Sequence, residues 1–330
     1  MYEPEPAIEW RRSAAAMLDH PSGFLALSKK NRIFALDGAP GFIAYREQGK
    51  HLVAFGGVHA PQTSWEPLLD GFLEEASHRR RRVMAVQVRE AQVQLFTTRA
   101  FTVNQFGTSF ALALQGYSLG GTRKMKLRNK IQRARKAGLR VAEVGWELPR
   151  DERTFATLRD ISTTWLAAKG RKELDFMIGE VGHPGDAERR IFVVLDQSDC
   201  AVAFITYVPE GGARPGYLHD LTRRKPSAPV GAMELCNATA IERFRSEGTA
   251  YLHFGFTPFV VDEEGTPGSS KVMQWIIRKV YTYGQSIYPA KDQAHYKLKW
   301  GPDIVEREYL ATRPLTPRAM FDLLMLTRVI

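Results

Sequence analysis

Two stretches of the sequence gather side chains that could move protons or hold anions. In YLHDLTRRKP, residues 217 to 226, a single carboxylate, Asp220, is followed by Arg223 and Arg224. If the run before it is a strand, alternation puts Leu218 and Asp220 on one face and His219 on the other. Asp220 then stands at a strand end, where ligands of open sheets bind. It could work there as a functional group, or it could cap the turn and pair with Arg223. In AHYKLKWGP, residues 294 to 302, Tyr296, Lys297, Lys299 and Trp300 fall together. Read as a strand, this segment places Lys297 and Lys299 on one face, an arrangement disfavoured unless an anion lies between them. The other reading is an edge strand kept soluble by lysine.

A third stretch, TRKMKLRNKIQRARKAG at 122 to 138, holds Arg123, Lys124, Lys126, Arg128, Lys130, Arg133, Arg135 and Lys136 and no carboxylate. The chain has 46 Lys and Arg against 36 Asp and Glu, so these eight carry most of its net charge of +10. Leu127, Ile131, Ala134 and Gly138 recur at the spacing of one helical face, which predicts a docked helix rather than a tail. A helix made only for solubility would interleave glutamate at i, i+4 to offset like-charge repulsion. The uncompensated charge points to a polyanion, the phosphates of nucleic acid or of an anionic lipid surface.

The elements that must position these groups are those of an ordinary globular chain, with 44% hydrophobic and 25% charged residues among 330. That length fits two domains. The acidic, proline-bearing start MYEPEPAIEWRR and the absence of a long apolar run predict a soluble, cytoplasmic protein, with peripheral contact at the inner face of a membrane left open. Cys200 and Cys236 are too few for a disulfide framework or a zinc site and read as core residues, and the scattered histidines predict no metal.

Periodicity predicts a helix over 8 to 19, strands at 32 to 36, 41 to 46 and 51 to 56, and a helix over 64 to 78. It continues with a strand at 82 to 88, a short helix over 90 to 98 and a strand pair within 100 to 114. After the basic helix and a strand at 139 to 144 the pattern restarts. A helix over 151 to 168, strands at 189 to 195, 200 to 208 and 215 to 221, a helix over 229 to 246, a strand at 250 to 256 and a helix over 271 to 285 follow. The fold class is α/β (α+β), with a mixed sheet and two similar halves suggesting duplication. This order is similar to the acetyltransferase-like (GNAT) fold, in tandem and joined by the basic helix. The expected boundaries are 1–116 for the first domain, 117–150 for the linker helix and its strand, and 151–330 for a catalytic domain. The glycine-rich loop that would cradle the pyrophosphate of acetyl-CoA at a helix N-terminus is replaced by RRKPSAPVGAME, so no cofactor is expected.

The chain resembles the phosphatidylglycerol lysyltransferase C-terminal domain family, the catalytic part of aminoacyl-phosphatidylglycerol synthases. The resemblance runs in order through GFIAYREQGKHLVAFGGVHAP, QFGTSFALAL, GYSLGGTRKMKLRNKIQRARKAGLRV, WLAAKGRKELDFMIGEVG, HDLTRRKPSAPVGAMEL, LHFGFTPF and IYPAKDQAHYKLKWGPDIVEREYLA. It implies tandem acetyltransferase folds that pass an aminoacyl group from a charged tRNA to a lipid hydroxyl, with the basic helix holding the tRNA. It also implies that Asp220 is the general base or an anchor for the substrate ammonium, that Arg223 binds phosphate or orients Asp220, and that Lys297 and Lys299 contact the tRNA end or the lipid phosphate. Tyr296, Tyr288, Glu234 and Gly255 join them as substrate-binding candidates. DFMIGEVG should form a loop over the pocket, with Phe176 inside and Gly179 at a turn, while Phe254 and Phe256 read as core. Family members carry the module after many transmembrane helices, absent here, and acidic residues where this chain has Thr108 and Ser109, so the acceptor stays open between phosphatidylglycerol, a related lipid and another small molecule. The competing reading is a non-catalytic protein that binds nucleic acid or anionic membranes on a degenerate fold.

Overall fold

A computed structural model of the chain describes residues 14, 15, 17–169, 175–262, 269–284 and 289–328. The helix expected over 8 to 19 falls largely outside the described residues. In the first half come α1 (Gly23–Ala26), β1 (Arg32–Leu36), β2 (Ala39–Gln48), β3 (His51–His59), α2 (Trp65–His78), β4 (Arg82–Arg89), α3 (Val93–Thr97) and β5 (Thr102–Ala113). The basic helix α4 (Met125–Lys136) and β6 (Arg140–Glu143) lead into α5 (Glu152–Lys169), β7 (Arg190–Leu195), β8 (Ala201–Glu210), β9 (Gly216–Arg224), α6 (Ala232–Ser246) and β10 (Tyr251–Pro258). The chain closes with α7 (Lys271–Tyr283), α8 (Ala290–Leu298), β11 (Ile304–Arg313) and α9 (Pro317–Leu326).

The eleven strands among the described residues form one sheet in the order β1-β2-β3-β4-β11-β5-β10-β9-β8-β7-β6. Neighbours are antiparallel except at β3/β4 and β9/β10, the two parallel pairs that flank α2 and α6. The acetyltransferase-like order of antiparallel strands followed by a β-α-β unit therefore occurs twice in a mixed α/β fold. β11, from the end of the chain, lies between β4 and β5 of the first half and pairs with both. Neither β11 nor α9 was expected from periodicity.

The period of two sorts side chains onto the faces of the sheet. Ile43, Tyr45, Leu52 and Ala54 pack under α2, while Phe42, Ala44, Val53 and Phe55 join the core beneath α9. In the second half Phe192, Val194 and Ile205 pack with α6, and Ile191, Val193 and Phe204 with α5. The segment expected to be a strand pair at 100 to 114 is one twelve-residue strand, β5. Within it Gly107 makes room for another chain segment, because a Cβ would collide with the Phe256 ring and the Thr257 carbonyl.

The basic stretch is a helix, and its predicted apolar stripe is its buried face. Leu127, Ile131 and Ala134 pack into the same core cluster as Leu235 and Ala238 of α6. Burying the Leu and Ile side chains contributes about 1.5–3 kcal/mol each, enough to seat a helix that opposes itself by charge. Of the two cysteines expected in the core, Cys236 is buried but Cys200 is exposed, in the turn between β7 and β8.

Candidate active site

β9 and β10 pair only through Gly216 to Leu218 and Tyr251 to His253. Beyond that β9 continues against β8 and β10 against β5, so the two strands part. A cavity of about 810 Å³ opens in the gap, and Leu218, His219, Asp220, Gly255, Tyr296 and Lys297 are among its walls. Gly255 sits at a bulge in the β10/β5 register with φ of +65°, a conformation that favours glycine. A Cβ there would also press on Leu218, at 2.8 Å from its Cδ1.

Where the strands part, Lys297 bridges two successive carbonyls of β10. Its Nζ donates to the Gly255 carbonyl at 2.9 Å and the Phe256 carbonyl at 2.8 Å. Burial lowers the Lys297 pKa to about 7, against the pull of the Glu308 carboxylate. Glu308 lies on β11 and accepts a hydrogen bond from the Ser109 hydroxyl. An amine poised near neutrality inside a cavity can give or take a proton at working pH.

The two lysines do not share a face. Residues 290 to 298 are helical, and at 3.6 residues per turn positions two apart point in nearly opposite directions. Lys299 Nζ lies 2.7 Å from Glu234 Oε1 and 3.8 Å from the centre of the Tyr296 ring. Lys130 of α4 reaches the same Glu234 oxygen at 3.3 Å. Glu234 and Lys299, expected to contact substrate, thus tie the basic helix to α6 and α8 behind the cavity wall. Lys297 lines the cavity and Lys299 does not, so the two do not flank one anion. Tyr296 does face the cavity, and Tyr288 lies outside the described residues.

Asp220 reaches the cavity with a side chain only 2% exposed. It accepts from Arg189 Nη1 at 2.6 Å, from the Gly179 amide at 2.9 Å and from the Thr206 hydroxyl at 3.4 Å. Gly179 can be nothing larger, because a Cβ would fall inside the Asp220 carboxylate. Burial pushes the Asp220 carboxyl up, with Arg189 pulling the other way. The guanidinium on Asp220 therefore comes from Arg189, not from Arg223 as expected. Arg223 Nε donates to Ser162 Oγ at 3.1 Å, and its guanidinium lies 4.4 Å from the centre of the Trp165 ring on α5. Arg223 still borders the cavity, beside Arg224 and Trp165.

His219 was placed on the opposite strand face and given no role, yet it lines the same cavity, because a gap between strands opens onto both faces. Its Nε2 is 2.7 Å from the Thr222 hydroxyl and its Nδ1 3.2 Å from Asn237 Oδ1. Burial, reinforced by the positive charge of Lys297, lowers its pKa to about 3, so the ring is neutral. Nδ1–H then donates to Asn237 and Nε2 accepts from Thr222. Arg189 was missed as well, since its partner is 31 residues away with no local spacing to signal it.

Toward the first half the cavity becomes apolar, walled by Leu25, Phe106, Phe259, Met320, Leu323 and Leu324. Met177 of the DFMIGEVG segment joins that wall, but Phe176 does not. Phe176 turns with φ of +71° into the core, edge-on to Phe55 and under the Arg46 guanidinium. Phe254 is buried as expected, and both it and Phe256 border the cavity.

On α4 and the turn before it the eight cations divide. Arg128 donates to the Leu119 carbonyl at 2.7 Å and the Gly121 carbonyl at 2.6 Å. Lys124 donates to the Ser118 carbonyl at 2.9 Å over the Tyr117 ring. With Lys130 on Glu234, these three fix the helix in place. Arg123, Lys126, Arg133, Arg135 and Lys136 are exposed, with no carboxylate partner among the described residues. No helix among the described residues is long and apolar enough to cross a membrane.

The family model described as phosphatidylglycerol lysyltransferase, C-terminal, matches residues 10–312. The chain is 25% identical over 309 residues to the lysylphosphatidylglycerol biosynthesis bifunctional protein LysX of Mycobacterium leprae, covering 92% of this chain and 27% of that protein. It thus spans about a quarter of the length of such curated relatives. A solved C-terminal domain (DUF2156) from Agrobacterium fabrum superposes with a TM-score of 0.80 at 19% identity, covering 98% of this chain and 97% of that one. The structure of L-PGS from Bacillus licheniformis superposes with a TM-score of 0.77 at 20% identity, covering 99% and 97%. These two likenesses establish the fold.

Proposed function

Because the chain belongs to the phosphatidylglycerol lysyltransferase C-terminal family, we propose that it moves an aminoacyl group from a charged tRNA to the hydroxyl of an anionic lipid, phosphatidylglycerol or a relative. The observation that carries this reading is one cavity that joins an apolar arm to a buried lysine near neutrality. An acyl chain suits the apolar arm, and a headgroup hydroxyl would then meet Lys297. The charged tRNA would lie on α4, which the Glu234 ion pairs join to α8.

The ester of a charged tRNA is already activated, so little is asked of the protein. Neutral Lys297 takes the proton as the lipid oxygen bonds to the ester carbonyl carbon, and returns it to the ribose oxygen as that bond breaks. Asp220, already held by three donors, serves better as the anchor of the substrate ammonium than as the base. Arg223 and Arg224 at the rim suit a phosphate. The protein would work peripherally at a membrane surface, where its acceptor resides.

The test is to incubate the protein with radiolabelled aminoacyl-tRNAs and a total lipid extract and follow which label enters lipid. Transfer should rise through about pH 7, and Lys297→Met should lower it by about 10²-fold or more, the scale of general-base loss, while tRNA binding persists. Label that stays on tRNA with every acceptor offered, although tRNA is bound, would leave a non-catalytic binding protein.

A further inference from the structure

α7 has two apolar faces, and only one is used. Met273, Gln274 and Ile277 are buried, and the Met and Ile enter the same core cluster as Leu323 and Leu326 of α9. On the outside, Val272, Trp275, Ile276 and Tyr283 are 68%, 61%, 41% and 73% exposed. Their spacing of three, four and eleven residues from Val272 puts them in one stripe along the helix. Isolated exposed apolar residues are ordinary, but a continuous stripe that includes Trp and Tyr is not.

The charges along α7 select the partner. KVMQWIIRKVYTY contains Lys271, Arg278 and Lys279 and no carboxylate. Lys279 Nζ lies within the stripe, 5.6 Å from the centre of the Trp275 ring and 5.3 Å from that of Tyr283. Aromatic rings with a polar edge, aliphatic residues between them and cations alongside suit a helix lying in the headgroup layer of an anionic bilayer. The contrast with α4 is direct: its outward face carries cations with the neutral amides Asn129 and Gln132 among them and Met125 as its one exposed large apolar residue, which suits phosphates without a hydrocarbon layer behind them.

α7 is also coupled to the cavity. Lys291, at the start of α8, donates to the Thr282 carbonyl near the end of α7 at 2.9 Å. The same α8 carries Gln293, Tyr296 and Lys297 in the cavity wall. We propose that the outer face of α7, formed by Val272, Trp275, Ile276, Lys279 and Tyr283, is the surface by which this protein docks on an anionic phospholipid bilayer. The inference deepens the lipid-acceptor reading and rests on it, since docking by α7 brings the helix bearing Lys297 to the source of its acceptor.

The experiment measures binding without turnover. Wild-type protein is sedimented with vesicles of phosphatidylglycerol and phosphatidylcholine and with vesicles of phosphatidylcholine alone, with no tRNA present. Binding to the anionic vesicles is expected, with Trp275 quenched by brominated acyl chains. Trp275→Ser with Ile276→Ser should weaken it at least tenfold, and Lys271→Glu with Lys279→Glu should do the same by charge alone, while melting temperature and tRNA binding stay unchanged. Transfer to a short-chain lipid dispersed below its micelle point should survive in both variants. Vesicle binding by α7 without any label transfer would fault the acceptor reading and leave the docking surface standing. The proposal is overturned if both variants bind vesicles as wild type does, if neutralising α4 abolishes binding instead, or if the stripe proves to join two copies of the chain with no affinity for vesicles.

Discussion

The two halves meet the same structural problem and solve it with different chemistry. In each, two parallel strands flank a helix, pair for a few residues and then part, and a side chain enters the gap to bind the backbone of one strand. In the first half β3 leaves β4 after Phe55 and Val86, and the side-chain amide of Gln92 fills the gap. Its Oε1 accepts from the Val58 amide at 3.0 Å, and its Nε2 donates to the Val58 carbonyl at 2.7 Å. In the second half the backbone groups are the Gly255 and Phe256 carbonyls, and the side chain on them is the amine of Lys297. A neutral amide closes its gap permanently. An amine with a pKa near 7 satisfies the same kind of group and remains able to trade a proton. One gap is sealed and the other opens into a cavity, and the difference lies in which side chain answers the backbone.

If the second gap is walled by buried charge and the first by neutral groups, breaking each wall should cost differently. Arg189 is 4% exposed and holds Asp220 at 2.6 Å and Asp186 at 2.9 Å. Arg189→Met would leave Asp220 buried with its principal counter-charge gone, so stability should fall by about 3–5 kcal/mol, read as a lower urea midpoint at unchanged slope. A loss below about 1 kcal/mol would mean that solvent already screens the pair and that the second gap is not specially charged.

Gln92→Met keeps the volume of the seal and removes its hydrogen bonds. The Val58 amide and carbonyl would then be unsatisfied, at about 1–3 kcal/mol per buried group. Aminoacyl transfer, measured where the variant is fully folded, should be unchanged. Lost transfer at unchanged stability would break the comparison, because it would give the first gap a part in the chemistry.

The sequence shows the first gap poorly and the second in part, for reasons that lie in the residues. Strands and helices between 32 and 283 follow local periodicity, and the stripe of Leu127, Ile131 and Ala134 identified α4 and its buried face. β11 could not be read that way. It enters the centre of the sheet from the end of the chain, yet Glu306, Arg307 and Glu308 make it look like an exterior segment. The alternation in HYKLK suggested a strand, but it spans five residues, whereas Ala290 and Ala294, both buried, mark one helical face. That helix separates Lys297 from Lys299. For Asp220 the nearby Arg223 was a decoy, and the true partner, Arg189, lies just before β7. Residue type picked out Asp220, Gly255, Tyr296 and Lys297, which the fold brings to one cavity, while pairing across the sheet decided which of their neighbours face it.

The smallest effect gives the finest comparison, because each half also buries a neutral histidine beside its gap. In the first half burial lowers His59 to about 4, and its Nε2 donates to the Phe55 carbonyl at 2.8 Å. In the second half His219 is lowered to about 3 by burial and by the charges of Lys297 and Lys299. An unfolded histidine takes a proton near 6.5, so below that pH the unfolded chain binds more protons than the folded one. Each histidine therefore makes stability rise with pH from its folded pKa up to about 6.5 and has no effect above it, with a slope of at most about 1.4 kcal/mol per pH unit. Glu210, raised to about 9 by burial, acts with the opposite sign above about 4.5, but it cancels when each variant is compared with its parent. His59→Gln and His219→Gln should each remove about one proton's slope from urea midpoints measured between pH 4.5 and 6.5. Repeated in a Lys297→Met background with the measurements extended down to about pH 3, the His219 contribution should shrink, because removing the nearby amine raises its folded pKa and narrows its window. The His59 contribution should stay as it was. Equal changes in both would show that Lys297 acts on the fold as a whole rather than through the second gap.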